Sequence, residues 1–193
     1  MKSYMSDLTR SLRKVIAPLS KAEEHRIMKS VTTHMTKNYR GEAAARFRIL
    51  EIQLSIDKPS NPKSIPQRLI RVLVADYRNK QNLEFVLDTQ GKIIRLEEYR
   101  GLQPAFHKDE IKEAQAIAKR DGRLAHIAKR RGVFVSDFAP ETVQENSFRI
   151  VGLRYVSKAK DNVFQQLARV LVDLSEQKVA SFESTEAAIQ ETT

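Results

Sequence analysis

The chain has 193 residues, of which 41% are hydrophobic and 30% are charged, so it can bury the core of one large or two small globular domains. The formal net charge of +10 favours anionic partners, and the absence of cysteine excludes disulfides and thiolate metal sites. The first ten residues are charged and no run of 18 apolar residues occurs, so we expect no signal peptide, no membrane span and a cytoplasmic location, although a cysteine-free chain would also tolerate an oxidising compartment.

The first predicted elements are an arm or short helix over residues 1–18 and an amphipathic helix over about 20–37. Ser20 and Glu23 have the spacing of a helix capping box. Apolar residues follow at helical spacing, namely Ile27, Met28, Val31 and Met35. Gly41 is placed to end this helix in the left-handed conformation.

Four strands are predicted after this helix, because the apolar residues change to an alternating pattern. The strands cover about 47–56, 69–77, 83–87 and 92–99. A slip in the alternation at Ile49–Leu50 predicts a β-bulge in the first strand. A loop with three prolines over 58–66 and a hairpin turn at Asp88–Gly91 connect the strands.

The second half begins after a predicted boundary at Arg100–Pro104. Its helix carries apolar residues on one face, namely Ile111, Ala114, Ile117 and Ala118. Asp121–Gly122 interrupts this helix, and a shorter helix continues to Gly132. Strands are predicted near 133–138, 148–156, 164–174 and 178–182.

The two halves repeat one order of elements, a helical region followed by four strands. Their last hairpins share residues: Asp88, Lys92, Ile93, Leu96 and Glu97 correspond to Asp173, Lys178, Val179, Phe182 and Glu183. We interpret the offset of about 86 residues as a domain duplication, with chance similarity of two hairpins as the alternative. The sequence therefore predicts an α+β protein of two tandem units, each a helix packed on a four-stranded antiparallel sheet.

Several short motifs occur in one order between Leu19 and Glu183. They are Leu19-Ser20 with Glu23, Arg46-Phe47, Lys58-Pro59, Arg71–Asp76, Glu84–Asp88, Gly91-Lys92, Gly101–Pro104, Arg131–Val133, Asn162–Phe164, Val172–Leu174 and Lys178-Val179. In this order they resemble the two small N-terminal domains, N2 and N3, of copper-containing amine oxidases. The chain departs from that family at Gln165–Ala168, where the family has a Pro-Ile-Glu-Gly-like segment, and in having no tryptophan.

The resemblance implies a cystatin-like fold for each unit and a role in packing against a catalytic domain. The implied organisation is an arm at 1–18, an N2-like domain at 19–104, an N3-like domain at 105–185 and a flexible tail at 186–193. Oxidase chemistry does not carry over. The family's copper needs three histidines, and Asn38-Tyr39-Arg40 lacks the acidic residue that follows the family's quinone-forming tyrosine.

Catalytic and cofactor motifs are absent from the sequence. The histidines are His25, His34, His107 and His126, and none has zinc-site spacing. No G-x-S-x-G, P-loop or dinucleotide motif occurs. We therefore expect no enzyme activity, no metal and no cofactor, while a paired-carboxylate site and a small-molecule pocket between helix and sheet stay open.

One basic segment is a candidate for binding nucleic acid or another polyanion. It consists of Lys119, Arg120, Arg123, Lys129, Arg130 and Arg131. The alternative is a solvated helix face beside Glu110 and Glu113, and the segment lacks interleaved aromatic residues. Our leading hypothesis is a non-catalytic interaction module that acts through a protein partner, with polyanion binding as the alternative and the oligomeric state open.

Overall fold

The computed structural model describes residues 17–38, 46–57, 66–100, 104–129, 132–138, 148–158 and 164–185. The chain divides into two compact units, Met1–Leu102 and Gln103–Thr193. Each unit contains helical structure followed by a four-stranded antiparallel sheet, which confirms the predicted α+β fold with two tandem units. The predictions for the arm before residue 17, for Gly41, for the loop at 58–65 and for the tail at 186–193 lie outside the described residues.

The first unit begins with helix α1, Lys21–Asn38, and the predicted capping box is confirmed. The backbone N–H of Ser20 donates to Glu23 Oε2 at 2.8 Å, and the backbone N–H of Glu23 donates to Ser20 Oγ at 3.2 Å. The helix buries a single face, formed by Ile27, Val31 and Met35. Met28 was predicted to share that face but is 47% exposed, because it follows Ile27 by one residue and so lies about 100° around the helix.

The first sheet has the order β1-β2-β3-β4. The strands are β1, Phe47–Asp57; β2, Gln67–Asp76; β3, Gln81–Asp88; and β4, Ile93–Glu98. The predicted bulge is confirmed, because the register passes from Ile49 opposite Val74 to Glu51 opposite Leu73. The predicted hairpin turn also forms, with Gly91 at φ +85° and its N–H bonded to the carbonyl of Asp88 at 3.0 Å.

The core of the first unit lies between α1 and one face of this sheet. The buried residues of α1 contact apolar side chains of the two central strands, namely Ile70, Val72, Val74, Phe85 and Leu87. Burial of these large side chains supplies about 2 kcal/mol each toward folding. No helix in the described parts of the chain covers the opposite face of the sheet, and we call it the first outer face.

The second unit begins with α2, Lys108–Arg120, which starts at a capping box that the sequence reading missed. His107 is the N-cap, and its backbone N–H donates to Glu110 Oε2 at 2.8 Å. After α2 come a 3₁₀ turn, Gly122–Leu124, and one helical turn, α3, Ala125–Ala128. Ile111 was predicted on the buried face but is only half-buried, and Glu110 is fully buried instead.

The second sheet has the order β5-β6-β7-β8, with antiparallel neighbours throughout. The strands are β5, Val133–Phe138; β6, Ile150–Lys158; β7, Phe164–Asp173; and β8, Lys178–Ser184. Its last hairpin repeats two features of the first sheet. The register shifts between Leu171 and Val172, as it does between Val86 and Leu87, and Gln177 adopts the positive φ that Gly91 adopts.

A buried ion pair ties α2 to the start of β6. Arg149 and Glu110 have fully buried side chains, and Arg149 Nε donates to Glu110 Oε1 at 2.8 Å. Arg149 also donates to the carbonyl oxygens of Pro104 at 2.7 Å and Ala105 at 3.3 Å. These partners satisfy a charge that would otherwise be costly to bury. Among the helices in the described parts of the chain, none is long and apolar enough to cross a membrane.

Candidate functional site

The structure describes four of the six residues of the basic segment, which lie at the end of α2, in the 3₁₀ turn and just after α3. Lys119 and Arg120 form the exposed last turn of α2, and Lys129 is exposed just after α3. Arg123 is neutralised locally, because its Nε and Nη2 donate to Asp121 at 2.9 and 2.6 Å. This bond to Arg123 is the main reason why the pKa of Asp121 is lowered.

The remaining cations of the basic segment, Arg130 and Arg131, lie outside the described residues. The Arg123 guanidinium also lies 5.2 Å from the centre of the Phe182 ring. Arg123 therefore serves the packing of its own unit, and polyanion binding by this segment stays a prediction.

Of the strand-end carboxylates that were candidates for a paired acid–base site, namely Asp76, Asp88, Glu97 and Glu98, the two aspartates bind N–H groups of turns. Asp76 Oδ1 accepts the backbone N–H groups of Arg78 and Asn79, both at 3.2 Å. Asp88 Oδ1 accepts those of Gln90 and Lys92, both at 2.9 Å. Within the described residues, no group of three or more histidine, aspartate or glutamate side chains could hold a metal ion.

On the first outer face, two arginines lie beside glutamates of the same sheet. Arg71 Nε donates to Glu84 Oε1, and this hydrogen bond is the main reason why the pKa of Arg71 is raised. On β4, Arg95 Nε lies 3.6 Å from Glu97 Oε1. A cleft of about 120 Å³ opens on this face beside Arg71 and Glu84, and two wider clefts of about 480 and 410 Å³ lie beside Glu97 and beside Arg95.

The outer face of the second sheet carries a different set of side chains. We call it the aromatic face and define it by Phe134, Phe138, Arg154, Phe164 and Arg169. Phe134 and Phe164 are 55% and 63% exposed, and their rings meet edge to face with centres 6.4 Å apart. Aromatic rings on strands are normally buried, so two largely exposed rings in contact indicate a surface that a partner can cover.

Phe138 connects these rings to two arginines. The guanidinium carbons of Arg154 and Arg169 lie 4.6 and 4.7 Å from the centre of the Phe138 ring, within the range of cation–π attraction. The Phe138 ring can pack closely against the backbone of β6 because its register partner there, Gly152, has no side chain. A Cβ at Gly152 would come within 2.6 Å of the ring.

The two arginines form a like-charged pair across the strands. Arg154 and Arg169 are direct register partners on β6 and β7, a placement that costs stability for equal charges. Glu183 is the neighbour of Arg169 on β8, yet in the described parts of the chain neither guanidinium has a carboxylate oxygen within 4.0 Å. Among the described residues, the close contact of both guanidinium groups is the ring of Phe138, which leaves their N–H groups able to bind an anion.

No residue of the aromatic face was predicted from the sequence to lie in a site. The spacing of Phe134 and Phe138 could have indicated this face, since residues four apart on a strand face the same way. Val133 and Val135 alternate with them, so β5 is apolar on both faces. Which arginines lie beside the rings depends on strand register, which no local pattern gives.

Comparisons with known proteins add no family. No protein-family model and no curated protein matches the chain. Among solved structures it is similar to one titled "Bacillus megaterium YpeB C-terminal domain", at 10% sequence identity and a TM-score of 0.25, covering 89% of this chain and 66% of that one. The chain thus spans slightly less than two thirds of that structure, and at this TM-score we base no inference on the likeness.

Proposed function

We propose that the chain is a non-catalytic interaction module that acts through a protein partner, with the aromatic face as its docking surface. The observation that carries this proposal is the contact between Phe134 and Phe164, two largely exposed rings beside two arginines that, within the described residues, have no carboxylate oxygen within 4.0 Å. Aromatic residues and arginine are the side chains most enriched at the centres of protein interfaces.

The resemblance to the N2 and N3 domains of amine oxidases supports the same function. Those domains pack against a larger catalytic domain, and we extend the resemblance to propose a cystatin-like fold for each unit. An amphipathic helix that covers one face of a four-stranded antiparallel sheet agrees with this fold. In this arrangement the outer face of each sheet is the surface that a partner can reach.

The two outer faces differ in what they can offer to a partner. On the first outer face, Arg71 is occupied by Glu84 and Arg95 lies beside Glu97, so polar groups would need to be separated before a partner could use them. On the aromatic face the exposed rings gain free energy simply by leaving water. We therefore place the docking surface on the second unit.

Site-specific photo-cross-linking tests this proposal. A photoreactive phenylalanine analogue is placed at position 134, at 164, and as a matched control at Ile94, which is 54% exposed in the first unit. In living cells, we expect a discrete protein adduct at 134 and at 164 and none at 94. The same adduct at all three positions, no adduct at any of them, or an adduct removed by nuclease would overturn the assignment.

A second candidate function is polyanion binding by the basic segment. It is favoured by the exposure of Lys119, Arg120 and Lys129 around the end of α2 and α3. It differs from the leading proposal in surface and in ligand, so variants of one surface serve as controls for the other.

A further inference from the structure

We infer that the partner presents a short acidic and apolar segment to the aromatic face, with a carboxylate held between Arg154 and Arg169 and an apolar side chain against Phe134 and Phe164. This inference rests on the proposed function, because it names the chemistry of the partner at the same surface. It follows from three features of that surface: its charge, its spacing and its limited extent.

The charge is concentrated at one point. Arg154 and Arg169 are register partners and both contact the ring of Phe138, so their guanidinium carbons lie within about 10 Å of each other and both charges attract a carboxylate bound beside the ring. The contacts with Phe138 limit the freedom of both side chains. A carboxylate would remove the repulsion between the register partners, so its binding is favoured twice.

The spacing fixes where the apolar side chain belongs. Phe134 lies four residues from Phe138 on β5, which is about 13 Å along a strand. Phe134 and Phe164 therefore form an apolar contact at one end of the face, and the arginine pair lies toward the other end. Arg154 stands opposite Ser136, two residues from Phe134, and the Phe138 ring lies two residues further. An extended segment therefore reaches from the rings to the arginine pair with an acidic and an apolar residue two or four positions apart, because alternate residues face the same way.

The limited extent of the cationic surface favours a peptide over a nucleic acid. Single strands are bound in grooves where many cations follow the backbone, with bases stacked between them. On the aromatic face, Arg154 is followed along β6 by Val156 and then by Lys158, and Glu183 adds a negative charge beside Arg169. This arrangement matches one carboxylate with adjacent apolar groups.

Selection from a randomised library of 12-residue displayed peptides, against the immobilised full chain, tests the inference. We expect the enriched peptides to carry an aspartate or glutamate two or four positions from an aliphatic or aromatic residue. Resynthesised peptides are then measured by fluorescence anisotropy against the wild type, the pair Arg154→Gln with Arg169→Gln, and the pair Phe134→Ser with Phe164→Ser. Each pair should weaken binding at least tenfold, whereas Arg95→Gln and Ile94→Ser should leave it unchanged.

A double-mutant cycle isolates the carboxylate contact. Replacing the peptide's acidic residue by its amide should weaken binding to the wild type about tenfold, and should have no further effect on the Arg154→Gln, Arg169→Gln variant. Far-UV circular dichroism of each variant checks that the fold is intact.

The outcomes separate the inference from the proposed function. Peptides that bind without an acidic residue, and that lose binding only with the phenylalanine pair, would overturn the inference and leave the docking surface standing. Enriched peptides insensitive to both pairs would contradict the proposed function itself. A 20-residue oligothymidine that binds more tightly than the peptides, and is released by the arginine pair, would replace the peptide by a nucleic acid.

Discussion

The two units share one architecture and one helix-to-sheet ion pair each, and in the described residues the first unit has a further arginine–carboxylate pair on the outer face of its sheet. In the first unit Arg71 and Glu84 pair on the outer face, where the Arg71 side chain is 45% exposed. In the second unit Arg149 and Glu110 pair in the interior, with both side chains fully buried. This pair holds the start of α2 to its sheet, as Arg68 and Glu23, with Nε and Oε1 3.5 Å apart, hold the start of α1.

The two units differ on the outer faces of their sheets. On the first outer face Arg71 donates to Glu84. On the aromatic face Arg154 and Arg169 contact the ring of Phe138, and among the described residues no carboxylate oxygen lies within 4.0 Å of either guanidinium. Equal folds can therefore carry surfaces of different function, because function depends on individual side chains.

The largest effect is expected from breaking the buried pair. Glu110→Gln leaves the charge of Arg149 buried without its carboxylate, which should cost about 3–5 kcal/mol. Glu84→Gln should cost about 1 kcal/mol or less, because the half-exposed Arg71 can be hydrated. Urea unfolding followed by circular dichroism measures both, since the chain has no tryptophan for fluorescence.

A double replacement controls for the shape of that site. Glu110→Leu combined with Arg149→Met should recover most of the stability, because an apolar pair needs no counter-charge. Equal losses for Glu110→Gln and Glu84→Gln would show that the two ion pairs do not differ in environment.

A smaller effect is expected at the glycine beneath the aromatic face. In Gly152→Ala the new Cβ would stand 2.6–2.7 Å from the Phe138 ring, so the ring must shift, at a cost of about 1–3 kcal/mol. The matched control is Gly122→Ala, where no atom lies within 4 Å, and it should change stability by about 0.5 kcal/mol or less. Thermal unfolding distinguishes the two, and equal melting temperatures would contradict the close packing of Phe138.

The next prediction concerns the N-terminus of α1. Ser20→Ala should lower the free energy of unfolding by about 1 kcal/mol, because it removes the side chain that caps the helix. Bonds from the backbone and then the side chain of Ser20 lower the pKa of Glu23 below its ordinary 4.5. The charged form is thus stabilised by folding, and its contribution is present above pH 4.5 and lost as the pH falls through the lowered pKa. The stability advantage of the wild type over Glu23→Gln, measured by urea unfolding as a function of pH, should therefore vanish in acid.

The smallest effect on stability is expected in the basic segment. Replacing Lys119, Arg120 and Lys129 by glutamine should change the free energy of unfolding by about 0.5 kcal/mol or less per residue. If the segment binds duplex DNA or heparin, the dependence of log affinity on log salt should flatten by about one unit per lost contact. Lys21, Lys29 and Lys37 on α1 are the matched control, and no binding at about 50 mM salt would remove this function.

Much of the local structure could be predicted from the sequence. The alternating pattern gave the strands, the Ser20–Glu23 spacing gave a helix start, and the slip at Ile49–Leu50 gave a bulge. Each depends on residues close together in the chain, whose dihedral preferences and periodicity act locally. The errors at Met28 and Ile111 are of one kind, since an apolar residue beside a helical stripe need not belong to it.

The sequence by itself determined the order of helices and strands, the turns and the repetition of the two units, because those depend on short-range periodicity and backbone preferences. The tertiary structure alone decided which side chains meet. Arg149 reaches Glu110 across 39 residues, and Phe138, Arg154 and Arg169 come from three strands. Such contacts follow from strand register and from how each helix covers its sheet, which depend on the packing of the whole unit.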